Sequence, residues 1–509
     1  MRLASPDMIP AIDRFAEDAL GHSVCELMGR SGKAVASAVR EIAARGATVL
    51  LLLGSGNNGG DGYAAVACLP EGYSVAVCDV FSSGQRTDAG RYYLEKYVSS
   101  GGRLLSADEA LRLIPTLAAG DVIVDGIFGT GFRGEAPAEL FPLIGEANAS
   151  HASRIAIDVP FGVNAYDGTV GHTVFRADLT VALSYSKPGL HSYPAAEYVG
   201  RILLDDIGID RDAVERAFDF RYTLTDEAFV RTSLPHRPKN SNKGSFGRAL
   251  LITGSDTYRG AAHLALQAAL RGGAGLVRQA GTRELCAELR ATYPEALYLE
   301  ADPTSPRDTE ALISADGWAD VTLIGSGCGT CEALAALTER LIHLEGGPLI
   351  LDADAVNSVA KHLTADVLRS ARRRVILTPH PLELSRISGV PVEEIQAARL
   401  GHAIEFAREY GVILLLKGGA TVITDGTDTF INSTGSSALA KGGSGDVLAG
   451  LCAALLADGA DPLPRVALAA YLHGRAGDAL SEELSDFGVT PSDLPRQIGK
   501  IINKIQKEK

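Results

Sequence analysis

The sequence TVLLLLGSGNNGGDGYAAVACL, residues 48–69, passes from an apolar run into a glycine cluster and then into a helical pattern. The run at 48–53 carries no charge, which suits a strand buried on both faces, as the strands of parallel sheets are. The glycines within 54–62 allow a tight turn and a close approach of the backbone to a ligand. This order of strand, glycine loop and helix predicts a parallel α/β sheet.

The same order recurs along the chain in two series. In the first half we predict strands at 48–53, 73–80, 122–125, 154–159, 179–183 and 199–204. In the second half we predict strands at 248–253, 276–279, 321–324, 349–352, 375–378 and 412–416. Between the two series, at residues 209–242, the chain is polar and charged and ends in a basic stretch with prolines at 234–243. We therefore predict two domains, residues 1–225 and 226–509.

The second series ends in a different pattern. Residues 421–424 and 429–432 flank a turn that contains Asp425 and Gly426, a pair that favours a β-hairpin. We therefore expect antiparallel strands at the end of the second sheet. Near the C-terminus, isoleucines recur at helical spacing among lysines, which predicts an amphipathic surface helix rather than a membrane anchor. These isoleucines are Ile498, Ile501, Ile502 and Ile505.

The composition of the 509 residues is that of a globular protein, with 46% apolar and 22% charged residues. The formal net charge of −14 argues against nucleic-acid and anionic-membrane partners, so any bound phosphate must be held by local groups. Seven cysteines, an odd number, favour free thiols, and the CxxC at 328–331 lacks the second pair of a zinc site. The first residues form no apolar leader, and no uncharged run reaches the ~20 residues of a membrane span. We expect a cytoplasmic protein.

The first glycine cluster carries polar side chains at Asn57, Asn58 and Asp61. The cluster lies between a strand and a helix, a position at which α/β sheets bind ligands. The free amide groups and the positive end of the helix favour a phosphate there. The alternative is a tight turn in which Asn and Asp adopt left-handed backbone conformations.

Two further strand ends in the first half carry carboxylates. Asp125 precedes a glycine loop with Arg133, and Asp158 ends the strand at 154–159. Alone, each aspartate is explained as a helix cap or a turn residue, but together with Asn58 they predict a convergent polar site. The oxygen atoms of Asn58 and Asp125 suit a weakly bound cation. Asp158 suits an acid/base role.

These segments, together with Lys187-Pro188-Gly189-Leu190, resemble the NAD(P)H-hydrate epimerase domain over roughly residues 1–220. The resemblance implies a Rossmann-like three-layer α/β/α domain, a potassium ion on Asn58 and Asp125, and substrate contact or acid/base work by Asp158. Phe161 stands where the family motif has a serine that binds potassium, so weaker cation binding or a lost epimerase activity stays open. The residues implied to hold the hydrated dinucleotide are Asn57, Asn58, Gly59, Gly60, Asp61, Gly129, Thr130, Gly131, Phe132, Arg133, Gly134, Glu135 and Asp158.

The second glycine cluster, NSTGSSALAKGGSGD at 432–446, leads directly into an apolar helical run. Gly443, Ser444 and Gly445 would place amide groups at a helix N-terminus, where they form an anion hole for a phosphoryl group. Asp446, in the first turn, can take a proton from an attacking hydroxyl. The alternative is that Asp446 only complements the helix dipole.

Other strand ends of the second half carry polar residues too. Lys417 and the glycines that follow it suit the binding of a nucleotide. His380 lies between two prolines that restrict the backbone, although a lone histidine is more often structural. Gly327 belongs to a third glycine turn at 325–329, and Asp352 and Asp354 are placed to orient magnesium or substrate.

From about residue 226 to 495, these segments resemble the ADP- or ATP-dependent NAD(P)H-hydrate dehydratase of the ribokinase-like superfamily. The resemblance implies a ribokinase-like α/β/α domain that uses Mg²⁺ and ADP, with Gly327, His380 and Asp446 on the hydrate. The residues implied to contact the nucleotide are Lys417, Gly418, Gly419, Ala420, Thr421 and Gly445. Leu382 replaces a usual glycine, and Lys441, in a divergent loop, could add a phosphate contact.

Together the resemblances imply a bifunctional enzyme, an isomerase and a lyase, with Asp158 and Asp446 as catalytic residues. It would epimerise the R and S hydrates of NADH or NADPH. It would also dehydrate the S hydrate at the expense of ADP, giving AMP, phosphate and NAD(P)H. We also expect a homo-oligomer. Two alternatives stay open: a ribokinase-like small-molecule kinase that releases a phosphorylated product, and an N-terminal domain that only binds nucleotide or acts as a scaffold.

Overall fold

The structure is a computed structural model and describes residues 1–81, 84–132 and 135–507. The chain divides into two compact units, Arg2–Tyr222 and Thr223–Lys509 with Met1. We predicted the domain boundary between residues 225 and 226, with one activity in each domain. Which activity belongs to which range of residues stays a prediction. Within the described ranges, none of the helices is both long enough and apolar enough to span a membrane.

The N-terminal unit alternates strands and helices. Its strands are β1 (Arg2–Leu3), β2 (Thr48–Leu53), β3 (Ser74–Asp79), β4 (Leu104–Leu105), β5 (Val122–Gly126), β6 (Ser153–Ile157), β7 (Leu179–Leu183) and β8 (Arg201–Asp205). Its helices are α1 (Ile9–Asp18), α2 (Val24–Ile42), α3 (Asn57–Val66), α4 (Asp88–Ser99), α5 (Ala107–Leu113), α6 (Phe141–Ala149) and α7 (Arg211–Ala217).

Seven of these strands form one parallel sheet in the order β4-β3-β2-β5-β6-β7-β8. Along β2, Val49 and Leu51 pack into one apolar cluster, while Leu50 and Leu52 pack into another. Successive side chains of a strand point to opposite faces, so both faces of this sheet are covered. The three-layer, Rossmann-like expectation is confirmed. The two-residue strand β4 is too short to give a sequence pattern.

The first glycine cluster lies partly inside a helix rather than in a loop, because α3 already begins at Asn57. The reason is close packing. A Cβ atom on Gly59 would lie 2.0 Å from the carbonyl oxygen of Gly54, so only glycine lets the helix lie this close to the strand end. Some of the glycines that we expected to admit a ligand therefore serve helix packing instead.

The C-terminal unit repeats the alternation on a larger scale. Its strands, beginning with one that crosses the division, are β9 (Tyr222–Thr225), β10 (Arg248–Ile252), β11 (Leu276–Gly281), β12 (Leu297–Glu300), β13 (Val321–Ile324), β14 (Leu349–Leu351), β15 (Val375–Leu377), β16 (Ile413–Leu416), β17 (Val422–Thr424) and β18 (Thr429–Asn432). Its helices are α8 (Glu227–Ser233), α9 (Arg259–Gly272), α10 (Arg283–Thr292), α11 (Thr309–Asp316), α12 (Glu332–Ile342), α13 (Asp354–His362), α14 (Pro381–Ser388), α15 (Val392–Ala397), α16 (Arg399–Tyr410), α17 (Ser444–Leu456), α18 (Pro462–Gly488) and α19 (Leu494–Lys507).

The sheet of this unit runs β9-β18-β17-β16-β15-β14-β13-β10-β11-β12. The strands from β16 to β12 pair in parallel, whereas β16, β17 and β18 pair antiparallel, which confirms the predicted hairpin. A large apolar cluster includes residues of α9, α17, α18 and the isoleucine face of α19, so α19 packs along the core as an amphipathic surface helix does. The second α/β prediction is thus confirmed, and β9 and β12 are additional strands.

Candidate active sites

A cavity of about 710 Å³ opens at the carboxyl ends of the strands in the N-terminal unit. The first turn of α3 and the loop after β5 both contribute to its wall, as the strand-loop-helix pattern predicts. The predicted residues that line it are Asn57, Asn58, Asp61, Gly129, Thr130, Gly131, Phe132 and Asp158. The neighbouring order β2-β5-β6 is what brings the three predicted polar strand ends together.

The other predicted residues of this unit lie elsewhere. Gly59 and Gly60 pack against Gly54 and Met28, so they shape the start of α3 from behind the cavity. Asp125 is fully buried beneath the cavity, and Glu135 is exposed. Arg133 and Gly134 lie outside the described residues.

Asp158 is the most constrained side chain of the cavity. One carboxylate oxygen accepts hydrogen bonds from the amide of Thr130, at 3.2 Å, and from its hydroxyl. The other oxygen forms an ion pair with Lys187, which is 1% exposed and also donates to the carbonyl of Leu183 at 3.2 Å. Asp158 has a left-handed backbone, φ 62°, a conformation that is unfavourable outside glycine and that collects at functional sites. Ser184, with φ 62°, also lines the cavity.

Two more carboxyl groups of the cavity have raised pKa values. Burial, together with the charge of Asp158, raises the pKa of Asp61 well above its ordinary value. Burial also raises the pKa of Asp13 to about 6, against the lowering effect of Lys187. Burial thus disfavours the charged form of Asp61. Asp13 and Lys187 were not predicted as site residues. Asp13 lies in α1, which contains no recognisable motif. Lys187 was noted only as part of the segment Lys187-Pro188-Gly189-Leu190, without a role of its own.

The residues expected to bind potassium do not fit the ion. The amide nitrogen of Asn58 donates to the carbonyl oxygens of Phe128, at 2.7 Å, and Ile157, at 3.0 Å. The two oxygens of Asp125 accept from the backbone amides of Phe161 and Ile127, and the Phe161 side chain is an apolar ring. A cation needs oxygen atoms turned toward it, whereas the amide hydrogens of Asn58 carry partial positive charge. No chemical step is assigned to potassium in this chain.

In the C-terminal unit, Asp446 lies in the first turn of α17, as predicted. Gly443 precedes the helix with a left-handed φ of 104°, a conformation that favours glycine, and the amide of Ser444 donates to the carbonyl of Lys441 at 3.2 Å. That amide is therefore not available to an anion, which narrows the predicted anion hole. Burial, followed by the charge of Asp352, raises the pKa of Asp446 to about 7. Its carboxyl group thus titrates near neutrality, as a general base should.

Four segments at this end of the sheet meet at Asp352, which is 1% exposed. One oxygen accepts from the hydroxyl of Ser326 at 2.7 Å, and the other from the hydroxyl of Thr378, also at 2.7 Å, and from the ammonium of Lys417 at 3.1 Å. Burial lowers the pKa of Lys417, but the charges of Asp352 and Glu383 outweigh it and leave the pKa above its ordinary value. The glycine turn at 325–329, the segment before His380 and the end of β16 are therefore all bound to the carboxylate of Asp352.

His380 is the N-cap of α14. Its Nδ1 accepts from the amide of Glu383 at 3.2 Å, and Glu383 accepts from the amide of His380 at 2.9 Å. Burial lowers the pKa of His380, so the ring is neutral at pH 7. Nearby, Asp354 accepts from the amide of Gly329 at 2.8 Å in the turn that contains Gly327. His380 has the structural role that a lone histidine usually has, and its half-exposed ring leaves the predicted contact with the hydrate open.

The predicted nucleotide segment, residues 417–421, has a specific backbone. Gly418 has a φ of 140° and packs against Arg399, whose guanidinium donates to the carbonyl of Lys417 at 3.1 Å. Ala420 has a left-handed φ of 47°, an unfavourable conformation for alanine. Gly419 and Thr421 complete the turn. The side chain of Lys417 lies among carboxylates, and its Nζ atom is near Gly445 at the start of α17. The predicted nucleotide contact of Lys417 stays a prediction.

Three side chains near α17 have surroundings that the sequence did not indicate. Lys441 donates to the carbonyl of Phe487 at 2.7 Å and to that of Val489, so its predicted phosphate contact is replaced by contacts within the chain. Ser444 and His473 are each 6% exposed, and the Ser444 Oγ and His473 Nε2 atoms have no partner among the described residues. Such unpaired buried polar atoms mark a place where a ligand or water completes the hydrogen bonding. No motif around His473 indicated it.

All seven cysteines are free thiols in the structure. Burial raises the pKa of Cys328, whose thiol donates to the carbonyl of Ile252, and Cys331 accepts from the amide of Leu334 at the start of α12. In residues 1–81, 84–132 and 135–507, no three His, Cys, Asp or Glu side chains are grouped as a metal centre.

Comparison with known proteins follows the same division of the chain. Residues 24–189 match the family described as YjeF-related protein N-terminus, and residues 249–502 match NAD(P)H-hydrate dehydratase. A bifunctional NAD(P)H-hydrate repair enzyme Nnr from Moorella thermoacetica is 35% identical over 90% of this chain and 88% of its own length. The Escherichia coli enzyme of the same name is 32% identical over 96% and 92%.

This chain belongs to that family. The resemblance seen in the sequence is thereby confirmed, and with it the bifunctional isomerase and lyase class. A solved ribokinase-like superfamily protein from Enterococcus faecalis is 27% identical, has a TM-score of 0.50, and covers 57% of this chain and 98% of its own. The ribokinase-like expectation for the second sheet is confirmed as well. The roles of single residues stay predictions.

Proposed function

We propose that this repair enzyme restores both epimers of hydrated NADH or NADPH to the reduced dinucleotide. The observation that carries the proposal is that each unit holds its proposed acid/base group, Asp158 or Asp446, at the carboxyl ends of its parallel strands, and that the pKa of Asp446 is raised to about 7. Parallel sheets bind ligands at that edge. Carboxyl groups with pKa values moved toward neutrality are suited to proton transfer at pH 7.

In the C-terminal unit, Asp446 acts as the base that takes the proton of the hydrate's hydroxyl. The oxygen then attacks the terminal phosphoryl group of ADP, and AMP leaves. Loss of the phosphate from its carbon, together with a proton from the adjacent ring carbon, restores the nicotinamide double bond. The amide of Gly445 and the positive end of α17 stabilise the transferring phosphoryl group. Mg²⁺ arrives with ADP as part of the substrate, and the surplus of carboxylates around the single Lys417 suits that cation.

In the N-terminal unit, Asp158 acts as the acid/base group for the interconversion of the two epimers. Lys187 and Thr130 hold its carboxylate in one orientation through charge and hydrogen bonds. Asp61 lines the same cavity from the start of α3 and contacts the dinucleotide there. The left-handed backbone of Asp158 is the strain expected where geometry must be exact for proton transfer.

The cell compartment and the assembly belong to the same proposal. Seven free thiols support a reducing, cytoplasmic environment. A homo-oligomer remains our expectation, which light scattering of the purified chain checks by mass.

A mixed R and S hydrate, incubated with the enzyme, ADP and Mg²⁺, tests both activities. We expect the NADH absorbance band to recover in full, because epimerisation supplies the S form while it is consumed. With Asp158→Asn, recovery of the absorbance should stop once the S form is used up, because the R form is no longer converted. With Asp446→Asn, no absorbance should recover. A stable phosphorylated product would indicate a kinase instead, and recovery limited to the S form in the unmodified enzyme would indicate a non-catalytic N-terminal unit.

A further inference from the structure

The carboxamide of Asn58 joins two strand ends beneath the N-terminal cavity. Its Nδ2 atom donates to the carbonyl of Phe128, in the loop after β5, at 2.7 Å. It also donates to the carbonyl of Ile157, the last residue of β6, at 3.0 Å. Both N–H groups of the amide are used, and both acceptors are backbone oxygens of the kind that otherwise ligate a cation.

The space around this amide is filled. A Cβ atom on Gly129 would lie 3.2 Å from Cγ and 3.3 Å from Oδ1 of Asn58, so the backbone of Gly129 packs against the carboxamide. Asn58 itself is 7% exposed. Nδ2 is assigned to this side of the carboxamide because both of its neighbours there are carbonyl oxygens, which accept hydrogen bonds.

The neighbouring carboxylate is engaged in a similar way. Asp125 accepts from the amide of Phe161 at 2.6 Å with one oxygen and from the amide of Ile127 at 3.1 Å with the other. These bonds fix the loop after β6 and the turn after β5. The backbone of Phe161 thus contributes a donor to the cluster and no acceptor from its side chain.

Phe161 makes the apolar side of this cluster. Its side chain is fully buried, and its ring stacks on that of Phe128, with centroids 5.6 Å apart. Phe128 in turn stacks on Phe132 at the cavity, with centroids 3.9 Å apart. The ring of Phe161 therefore fills this side of the cluster with apolar atoms.

We propose that in this chain the amide of Asn58 takes the place of a potassium ion, so that the epimerase site assembles without a monovalent cation. The amide supplies the positive charge that draws the carbonyls of Phe128 and Ile157 together, and the stacked rings supply the packing. Only the expected effect of salt on the rate of epimer exchange rests on the proposed epimerase function. Its structural claim stands on these contacts alone.

The full-length protein is unfolded by heat in KCl, NaCl and choline chloride at equal ionic strength. We expect the midpoint in KCl to exceed that in choline chloride by less than about 2 °C, since a ligand of the folded state would raise it by more. A rise that is specific to KCl overturns the proposal. Epimer exchange, followed by NMR, should have the same rate in KCl and choline chloride. If exchange is absent in every salt, the proposed function fails, while the thermal result still decides the cation question.

Asn58→Asp is the sharpest variant, because it replaces the donating amide with oxygen and leaves the shape unchanged. The carboxylate then faces two carbonyl oxygens, so we expect a lower midpoint in choline chloride and a recovery that KCl provides and choline does not. Asn57→Asp is the matched control, since it makes the same change one residue earlier at an exposed site. Equal responses of the two variants to KCl, or no response of Asn58→Asp, contradict the role given to the Asn58 amide.

Discussion

The two units each place one lysine among carboxylates at the carboxyl ends of their strands, but the lysines have different partners. Lys187 pairs directly with Asp158, the proposed acid/base of the epimerase. Lys417 pairs with Asp352 at 3.1 Å and lies 3.9 Å from Glu383. Asp446 forms no salt bridge among the described residues, and burial raises its pKa although the charge of Lys417 lowers it. A lysine bound to the reacting group stabilises its charge, whereas a lysine bound to its neighbours leaves the reacting group with a raised pKa.

The largest effect should come from Asp446→Asn, which removes the proposed base without changing its shape. We expect kcat/KM for dehydration to fall by about 10²- to 10⁴-fold, the usual contribution of a positioned base. In the unmodified enzyme, kcat/KM should rise with pH up to about 7, because the carboxyl must lose its proton to act and its pKa is about 7. A pH-independent rate between 5 and 8, with chemistry rate-limiting, would contradict the assignment.

Lys187→Met and Lys417→Met compare the two lysines directly. Removing one partner of a buried ion pair costs about 3–5 kcal/mol, and we expect Lys187→Met to reach that range because Lys187 is 1% exposed. Lys417→Met should cost less, since its side chain is 19% exposed and Asp352 keeps the hydroxyls of Ser326 and Thr378. Hydrogen exchange of peptides from α3 and α17 reports each unit separately. Equal losses would show that the lysines are equivalent.

Much of this arrangement could be predicted from the sequence because it depends on local patterns. The strands, the glycine turns and the positions of Asp158 and Asp446 follow from runs of apolar residues followed by glycine. The lysine partners do not, because Lys187 is brought to Asp158, and Lys417 to Asp352, by packing between distant segments. The surroundings of the predicted potassium site could not be predicted for a related reason: the sequence shows that the Phe161 side chain has no oxygen, but only the packed structure shows which carbonyl oxygens lie next to the amide of Asn58.

The two glycine clusters also differ, and alanine substitutions separate them. Gly59→Ala would place a Cβ atom 2.0 Å from the carbonyl of Gly54, and we expect a loss of about 1–3 kcal/mol from overpacking. Gly131→Ala is the matched control in the same cavity wall, because no atom lies within 4 Å of its added Cβ. Thermal unfolding measures both. A stable Gly59→Ala variant would show that α3 can move away from β2.

The second cluster should respond in binding rather than in folding. A Cβ atom on Gly445 would lie 3.4 Å from the Nζ of Lys417, an ordinary contact, so Gly445→Ala should fold normally. The added methyl group would stand where a phosphoryl group approaches the start of α17. We therefore expect a higher KM for ADP with little change in the unfolding midpoint. An unchanged KM would place the nucleotide elsewhere.

The smallest effect concerns the stability cost of keeping Asp446 ready to act. Its pKa is raised from 3.8 to about 7 in the folded chain, so the folded state holds the proton more tightly and the unfolded state releases it first. Stability from this group is therefore greatest at acid pH and is lost as the pH rises from about 4 to about 7. Asp446→Asn does not titrate, so it should gain on the unmodified protein over that range. At pH 8 we expect it to be more stable by on the order of 1 kcal/mol, or about 2–4 °C in a unit of this size. The unfolding midpoints of both proteins at pH 4.5 and pH 8 test this prediction. A difference between the two proteins that does not change with pH would mean that burial does not destabilise the Asp446 carboxylate. That carboxylate would then be no worse placed than the carboxylate of Asp158, which Lys187 neutralises.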